Sequence, residues 1–200
     1  MVHGRRPELN RHQAVHVTLH VCDGVASLRR PRAMRLCEAA FRAECQRKGF
    51  RLVHWAIRSN HLHLVCEASE RLALSRGMQR LASRLARRLN AAFGRRGALF
   101  RDRYDGRVIS TPRQMRNVLS YVLLNLHKDQ ARLGRLVCGI DPCSSGRYFD
   151  GWADVPQELL AGGERAPPVA QAQSWLLRVG WRRHGLLRTT ERAPSCLDAN

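Results

Sequence analysis

The chain has 200 residues, 44% of them hydrophobic, enough for one compact domain with appendages and small for two independent cores. Its formal charge of +19 and isoelectric point near 11.4 exceed what solubility asks for and point to a polyanionic partner, nucleic acid first. The seven cysteines include no C-x-x-C pair, residues 1–13 lack an apolar signal core, and no run approaches the ~20 apolar residues of a membrane span; a cytoplasmic protein with buried free thiols and no membrane partner is expected.

The stretch from Val15 to Val21 alternates valines and leucine with His16, Thr18 and His20, the pattern of a half-buried strand. From Pro31, Met34, Cys37, Phe41 and Cys45 recur at helical spacing until Gly49 supplies a stop. Phe50 to Arg58 and His61 to Ala68 are two β-rich runs around Ser59-Asn60, which suits an antiparallel hairpin. Leu72 to Phe93 carries Leu74, Met78, Leu81, Leu85 and Leu89 every three or four residues and closes at Gly94. Tyr104 to Ile109 reads as a short strand, and Thr111-Pro112 caps a further helix running to about His127.

This order predicts an α+β fold: a ferredoxin-like antiparallel sheet with two helices on one face, the other face open for function, and an additional helix at the end. Residues 1–155 are expected to form that domain. Residues 156–200 read as a linker at Pro167-Pro168 and a basic tail with a short helix, Trp175 to Leu187.

Two groups carry candidate chemistry. His61 and His63 occupy alternate positions of one strand, so their rings leave the same face about 7 Å apart along the backbone and can converge on one metal. Tyr121 and Asn125 stand four residues apart and share a helix face; a phenol is a poor nucleophile unless its target phosphate is polarised, and an amide oxygen one turn away suits a metal shell.

Asn60-His61-Leu62-His63 followed by Tyr121-Val122-Leu123-Leu124-Asn125 resembles the REP-associated tyrosine transposases, the single-tyrosine branch of the HUH transposases and nickases. The similarity runs from about Val15 to Lys128 and continues into Asp141-Pro142-Cys143-Ser144-Ser145. The resemblance implies that His61, His63 and Asn125 hold Mg²⁺ or Mn²⁺. It further implies that Tyr121 forms a covalent link to a DNA 5′-phosphate, and that the substrate is hairpin-forming single-stranded DNA. Whether the protein acts as monomer or homodimer is left open.

Between Arg71 and Arg107 stand eleven arginines against Asp102 and Asp105, a ribbon able to track a phosphate backbone. Arg76, Arg80, Arg84, Arg87, Arg88, Arg101 and Arg103 are the DNA-binding candidates. Two rival readings stand beside the transposase. His16-Val17-Thr18 is a His-x-Thr triplet of the kind a two-histidine phosphoesterase pairs, although position 63 is His where a second triplet needs Thr or Ser. A non-catalytic or domesticated single-stranded DNA or RNA binder would share the basic surface, but the aromatic strand sequence of the usual RNA-binding sheet is absent.

Overall fold

The computed structural model describes residues 13–124, 139–160 and 166–191. Five strands form one antiparallel sheet in the order β2-β3-β4-β1-β5: β1 (Gln13–His20), β2 (Gln46–Arg47), β3 (Phe50–Ile57), β4 (His61–Ala68) and β5 (Asp105–Ile109). Helices α1 (Pro31–Glu44) and α2 (Arg71–Phe93) lie on one face. Val15, Val17 and Leu19 of β1, with Leu62, Leu64 and Cys66 of β4, meet Cys37, Phe41, Met78, Leu81 and Leu85 there in a core from which water is excluded. Gly77 lets α2 approach closely, since a Cβ at that position would lie 2.3 Å from the Phe50 ring. The α+β, ferredoxin-like expectation is met; β2, two residues long, is an addition at the sheet edge that the sequence pattern did not signal.

The second face is not open. Helix α3 (Pro112–Leu123), capped by the Thr111 hydroxyl, which accepts from Gln114 N, lays Met115, Val118, Leu119 and Val122 over Ala14, Val65 and Ala56. An amphipathic helix must bury its apolar stripe, and this face offers the apolar surface to receive it.

Residues 166–191 complete the cover. The expected linker Pro167-Pro168 runs against the sheet, with Trp55 Nε1 donating to Pro168 O at 3.2 Å and Ala170 N donating to Leu52 O at 2.8 Å. The expected Trp175 to Leu187 helix is instead a four-residue helix, α4 (Trp175–Arg178), followed by a 3₁₀ turn at Gly180–His184. The break falls at Gly180, where a Cβ would meet the Trp175 ring at 2.7 Å, and it turns Trp181 into the core beside Phe149.

A bulge between Leu52 and His54 shifts the phase of β3. Phe50 and Leu52 point to the α1/α2 side, Val53 joins the other core, and Trp55 and Ile57 return to the α1/α2 side. Bulges re-aim side chains in this way. Here the slip puts Ala56, opposite His63, on the α3 side and brings Arg58 to that side too.

Glu67, 2% exposed, ties the C-terminal segment to β4: its carboxylate accepts from Gln173 N and Ser174 N at 2.7–3.1 Å. Glu67→Ala strands both amides, and chemical denaturation is expected to show a loss of about 2–3 kcal/mol, with Glu67→Gln losing less.

Candidate active site

The strand pairing assembles the site. In the β1–β4 register His16 faces Val65, Thr18 faces His63 and His20 faces His61, so four imidazoles and a hydroxyl share one patch of the α3 face. His63 is 3% and His16 8% exposed, while His20 stays exposed at the sheet's end. α3 carries Tyr121 over this patch, its hydroxyl 3.4 Å from His63 Nε2 and its ring edge-on to those of His63 and His16. The hairpin and the helix, about 60 residues apart in sequence, thus meet as the sequence pattern anticipates. Asn125 lies outside the described residues.

Hydrogen bonds orient both rings. The Asn60 Oδ1 accepts from His61 Nδ1 at 2.8 Å, which places the His61 proton on Nδ1. His63 Nδ1 faces His16 Nε2 at 3.3 Å and Thr18 Oγ1 at 3.4 Å, so its proton also has acceptors on that side. Each Nε2 is left with its lone pair toward the other, and the two nitrogens are 3.0 Å apart. With both protons on Nδ1 the two lone pairs repel unless one cation accepts both; with a proton on either Nε2 the pair is a hydrogen bond. Octahedral bonds of roughly 2.1 Å at right angles set adjacent donors ~3.0 Å apart, so the pair fits two neighbouring ligands of one hard divalent ion. Among the described residues no group of three or more His, Cys, Asp or Glu is arranged to hold a metal.

Burial keeps these rings neutral. It pushes His61 down to about 4 and His63 to about 2, with His20 and Arg58 adding to the effect at His61, and His16, His61 and Arg58 at His63. A neutral imidazole is the form that ligates a metal. His16, lowered to about 4 first by burial, rests on His63 rather than standing as a separate acid or base, unlike the second histidine of a two-histidine phosphoesterase.

The sequence pattern missed His16, Thr18 and Asn60 as supports of the His61 and His63 rings and missed the buried Arg58 whose charge acts on both. Alternation on β1 and the Asn-His-x-His order carried a signal for the first three. For Arg58 the signal was hidden by the β3 bulge.

The arginine candidates divide. Arg76, Arg80, Arg87 and Arg88 are exposed along α2, on the layer opposite the histidines. Arg84 is engaged by buried Glu44 at 2.7 Å, beside a groove lined by Arg47, Arg80 and Arg87. Arg101 and Arg103 stand at the site's end of the sheet, where Arg101 N donates to His20 O at 2.9 Å and the Arg101 side chain pairs with Asp23.

The fold and this arrangement define an α+β protein with a histidine and tyrosine patch on one face of its sheet. A solved structure described as the REP-associated tyrosine transposase bound to a REP hairpin shares the fold, with a TM-score of 0.59 at 13% identity, over 87% of this chain and 100% of that one. A putative transposase from Deinococcus radiodurans R1 is similar at 19% identity and a TM-score of 0.42, over 55% of this chain and 87% of that one. No curated protein matches. Residues 12–124 match the family described as "Transposase IS200 like", and with that match over half its length the chain belongs to the IS200-like transposase family, a family of DNA-cleaving enzymes. No described helix is long and apolar enough to cross a membrane.

His54, on the same sheet side, provides a pH probe clear of the paired histidines. It is buried against Phe149 and Ser145 Oγ, and burial lowers it to about 4. An unfolded chain takes up this proton below its ordinary value of 6.5, whereas the folded ring resists until about 4. Its stabilising contribution is therefore complete above 6.5 and drains away as pH falls toward 4, by an amount on the order of 3 kcal/mol. Urea unfolding at pH 7 and pH 4.5 should show a smaller acid loss in His54→Gln than in the wild type.

Proposed function

We propose that this transposase cuts and rejoins single-stranded, hairpin-forming DNA through a covalent bond between Tyr121 and a 5′-phosphate. The observation that carries the reading is the 3.4 Å approach of the Tyr121 hydroxyl to the His63 Nε2 that also faces His61. All three tyrosines of the chain are described, and the other two support it by contrast: Tyr104 and Tyr148 pack against the α1/α2 core, on the far side of the sheet.

In this reading His61, His63 and Asn125 hold Mg²⁺ or Mn²⁺, which when bound polarises the phosphate and lowers the charge its attack must overcome. The residues of the chain do the rest. Asn60, Thr18 and His16 hold the two rings with their Nε2 lone pairs inward. α3 and the cover behind it keep the Tyr121 oxygen beside the phosphate. As the Tyr121 oxygen bonds to phosphorus, the P–O3′ bond breaks. The phenol proton leaves to water and the departing 3′ oxygen takes one up, so protons balance. One phosphodiester replaces another, which conserves the bond for rejoining.

Arg76, Arg80, Arg84, Arg87, Arg88, Arg101 and Arg103 are the proposed DNA contacts. Arg101 and Arg103 are at the site's end of the sheet, and the α2 group would hold DNA that passes to the far layer. Such a protein works where DNA is, and in a reducing cytoplasm its described cysteines stay free thiols.

The test is incubation with labelled single-stranded hairpin DNA and Mn²⁺, followed by denaturing electrophoresis. The wild type should give a protein–DNA adduct, chelator and His61→Ala/His63→Ala should abolish it, and Tyr121→Phe should bind the hairpin normally yet form none. An adduct of undiminished yield in the double-histidine variant would overturn the metal site.

A further inference from the structure

α1 ends on a carboxylate in a costly place. Glu44 is its last residue, where the helix dipole disfavours negative charge, and it is 4% exposed. Two arginines from neighbouring elements hold it. Arg84 of α2 donates from Nε to Oε1 at 2.7 Å, and Arg47 of β2 donates from Nε to Oε2 at 3.1 Å. Arg47 is fixed a second time, its Nη2 donating to Ala43 O at 2.7 Å. Glu44 thus takes the Nε of both side chains, and the two-pronged end of the Arg84 fork lies outside this contact.

The three residues border a groove of about 490 Å³. α2 lines it with Arg80, Ser83, Arg84 and Arg87, which recur at intervals of three and four and so form one stripe about 10 Å long. Arg80, Ser83 and Arg87 are exposed and Arg84 is half-buried. Four guanidinium groups and a hydroxyl therefore surround the groove together with one carboxylate. One strand of a duplex carries a phosphate for about every 3.4 Å of axis, so the stripe spans about three. α2 turns Leu81 and Leu85 toward the sheet, and the histidines lie beyond it on the second face. A phosphate in this groove is not the one that meets Tyr121.

We propose that this groove is a second, non-catalytic site for the phosphodiester backbone of nucleic acid, and that Glu44 is the positioning residue that sets the forks of Arg84 and Arg47 in it. The proposal rests on the reading of Arg80, Arg84 and Arg87 as DNA contacts and gives them a place separate from cleavage. A planar fork held in one orientation meets two phosphate oxygens at once, which a lysine at the same position matches only as a point charge. If Glu44 acted on DNA through its charge alone, its removal would strengthen binding. As the holder of forked donors, its removal weakens binding, so the sign of the effect separates the two roles. The backbone in the groove belongs either to the stem of the hairpin being cut or to a second DNA molecule, and the chemistry that recognises it is the same.

The experiment measures binding of a labelled short duplex, without loop or single-stranded flank, across a range of salt and in chelator, so that no strand is cut. It compares the wild type with Arg80→Gln/Arg87→Gln, Glu44→Gln, Arg84→Lys and, as a control away from the groove, Arg101→Gln/Arg103→Gln. Arg80→Gln/Arg87→Gln should bind about tenfold more weakly at moderate salt, with the salt slope reduced by about two. Glu44→Gln and Arg84→Lys should each bind about threefold more weakly, although the first removes a negative charge and the second changes none. Circular dichroism checks that each variant is folded, and Arg84→Lys carries the test if Glu44→Gln is not. Wild type saturated with acceptor-labelled hairpin is then titrated with donor-labelled duplex. Energy transfer that is lost in Arg80→Gln/Arg87→Gln assigns the groove to a second DNA molecule, and displacement of the duplex by one equivalent of hairpin assigns it to the hairpin's own stem. Unchanged affinity and salt slope in Arg80→Gln/Arg87→Gln, tighter binding by folded Glu44→Gln, or wild-type affinity in Arg84→Lys would each overturn the proposal. If Arg101→Gln/Arg103→Gln alone weakens binding, the groove falls while the wider DNA reading stands; if neither arginine pair matters, that reading falls with it.

Discussion

Burial of the α3 stripe on the second face of the sheet is the constraint on which the site depends. Met115, Val118, Leu119, Val122 and Leu123 are all buried, and each such side chain contributes about 1.5–3 kcal/mol by leaving water. That packing leaves one register for the helix. Tyr121, next to Val122 on the helix surface, has no freedom to leave the histidines while Val118 and Val122 stay against Ala14, Val65 and Ala56. The same burial strips water from β1 and β4, so residues that would be a solvated polar stripe on an uncovered sheet become a desolvated, neutral pair of imidazoles. Folding and chemistry thus draw on one event.

What the desolvated patch does with charge follows from the same packing. Neutral His61 and His63 set their Nε2 atoms 3.0 Å apart, and the charge of Arg58, on the neighbouring strand's end, acts on both rings. The C-terminal residues contribute indirectly: Trp181, Phe149 and Leu177 seal the far end of the α3 layer, and Glu67 anchors them to the strand that carries the histidines. A segment that looks like an appendage in sequence is part of the wall that keeps this face dry.

Much of this was legible in sequence because it is periodic. The alternation around His16, Thr18 and His20, the hairpin at Ser59-Asn60, the leucine stripe of α2 and the Thr111-Pro112 cap each name an element and its face. His61, His63 and Tyr121 could be grouped because the residue spacing fixes which side of an element they leave. What escaped depends on tertiary packing that has no local period. The bulge at Leu52 and His54 breaks the alternation of β3 and with it the face of Arg58. The turn at Gly180 is explained by the Trp175 ring. Asp141 read as part of a motif, yet its visible work is to hold Arg29 and the loop that runs beside β3.

The account stands or falls on which tyrosine joins the DNA. Protease digestion of the wild-type adduct, followed by mass spectrometry of the DNA-linked peptide, locates the bond directly. Modification on the peptide containing Tyr121, which lies on the histidine side of the sheet, is the predicted result. DNA found on Tyr104 or Tyr148, which belong to the opposite core, would contradict it even if cleavage itself proved real.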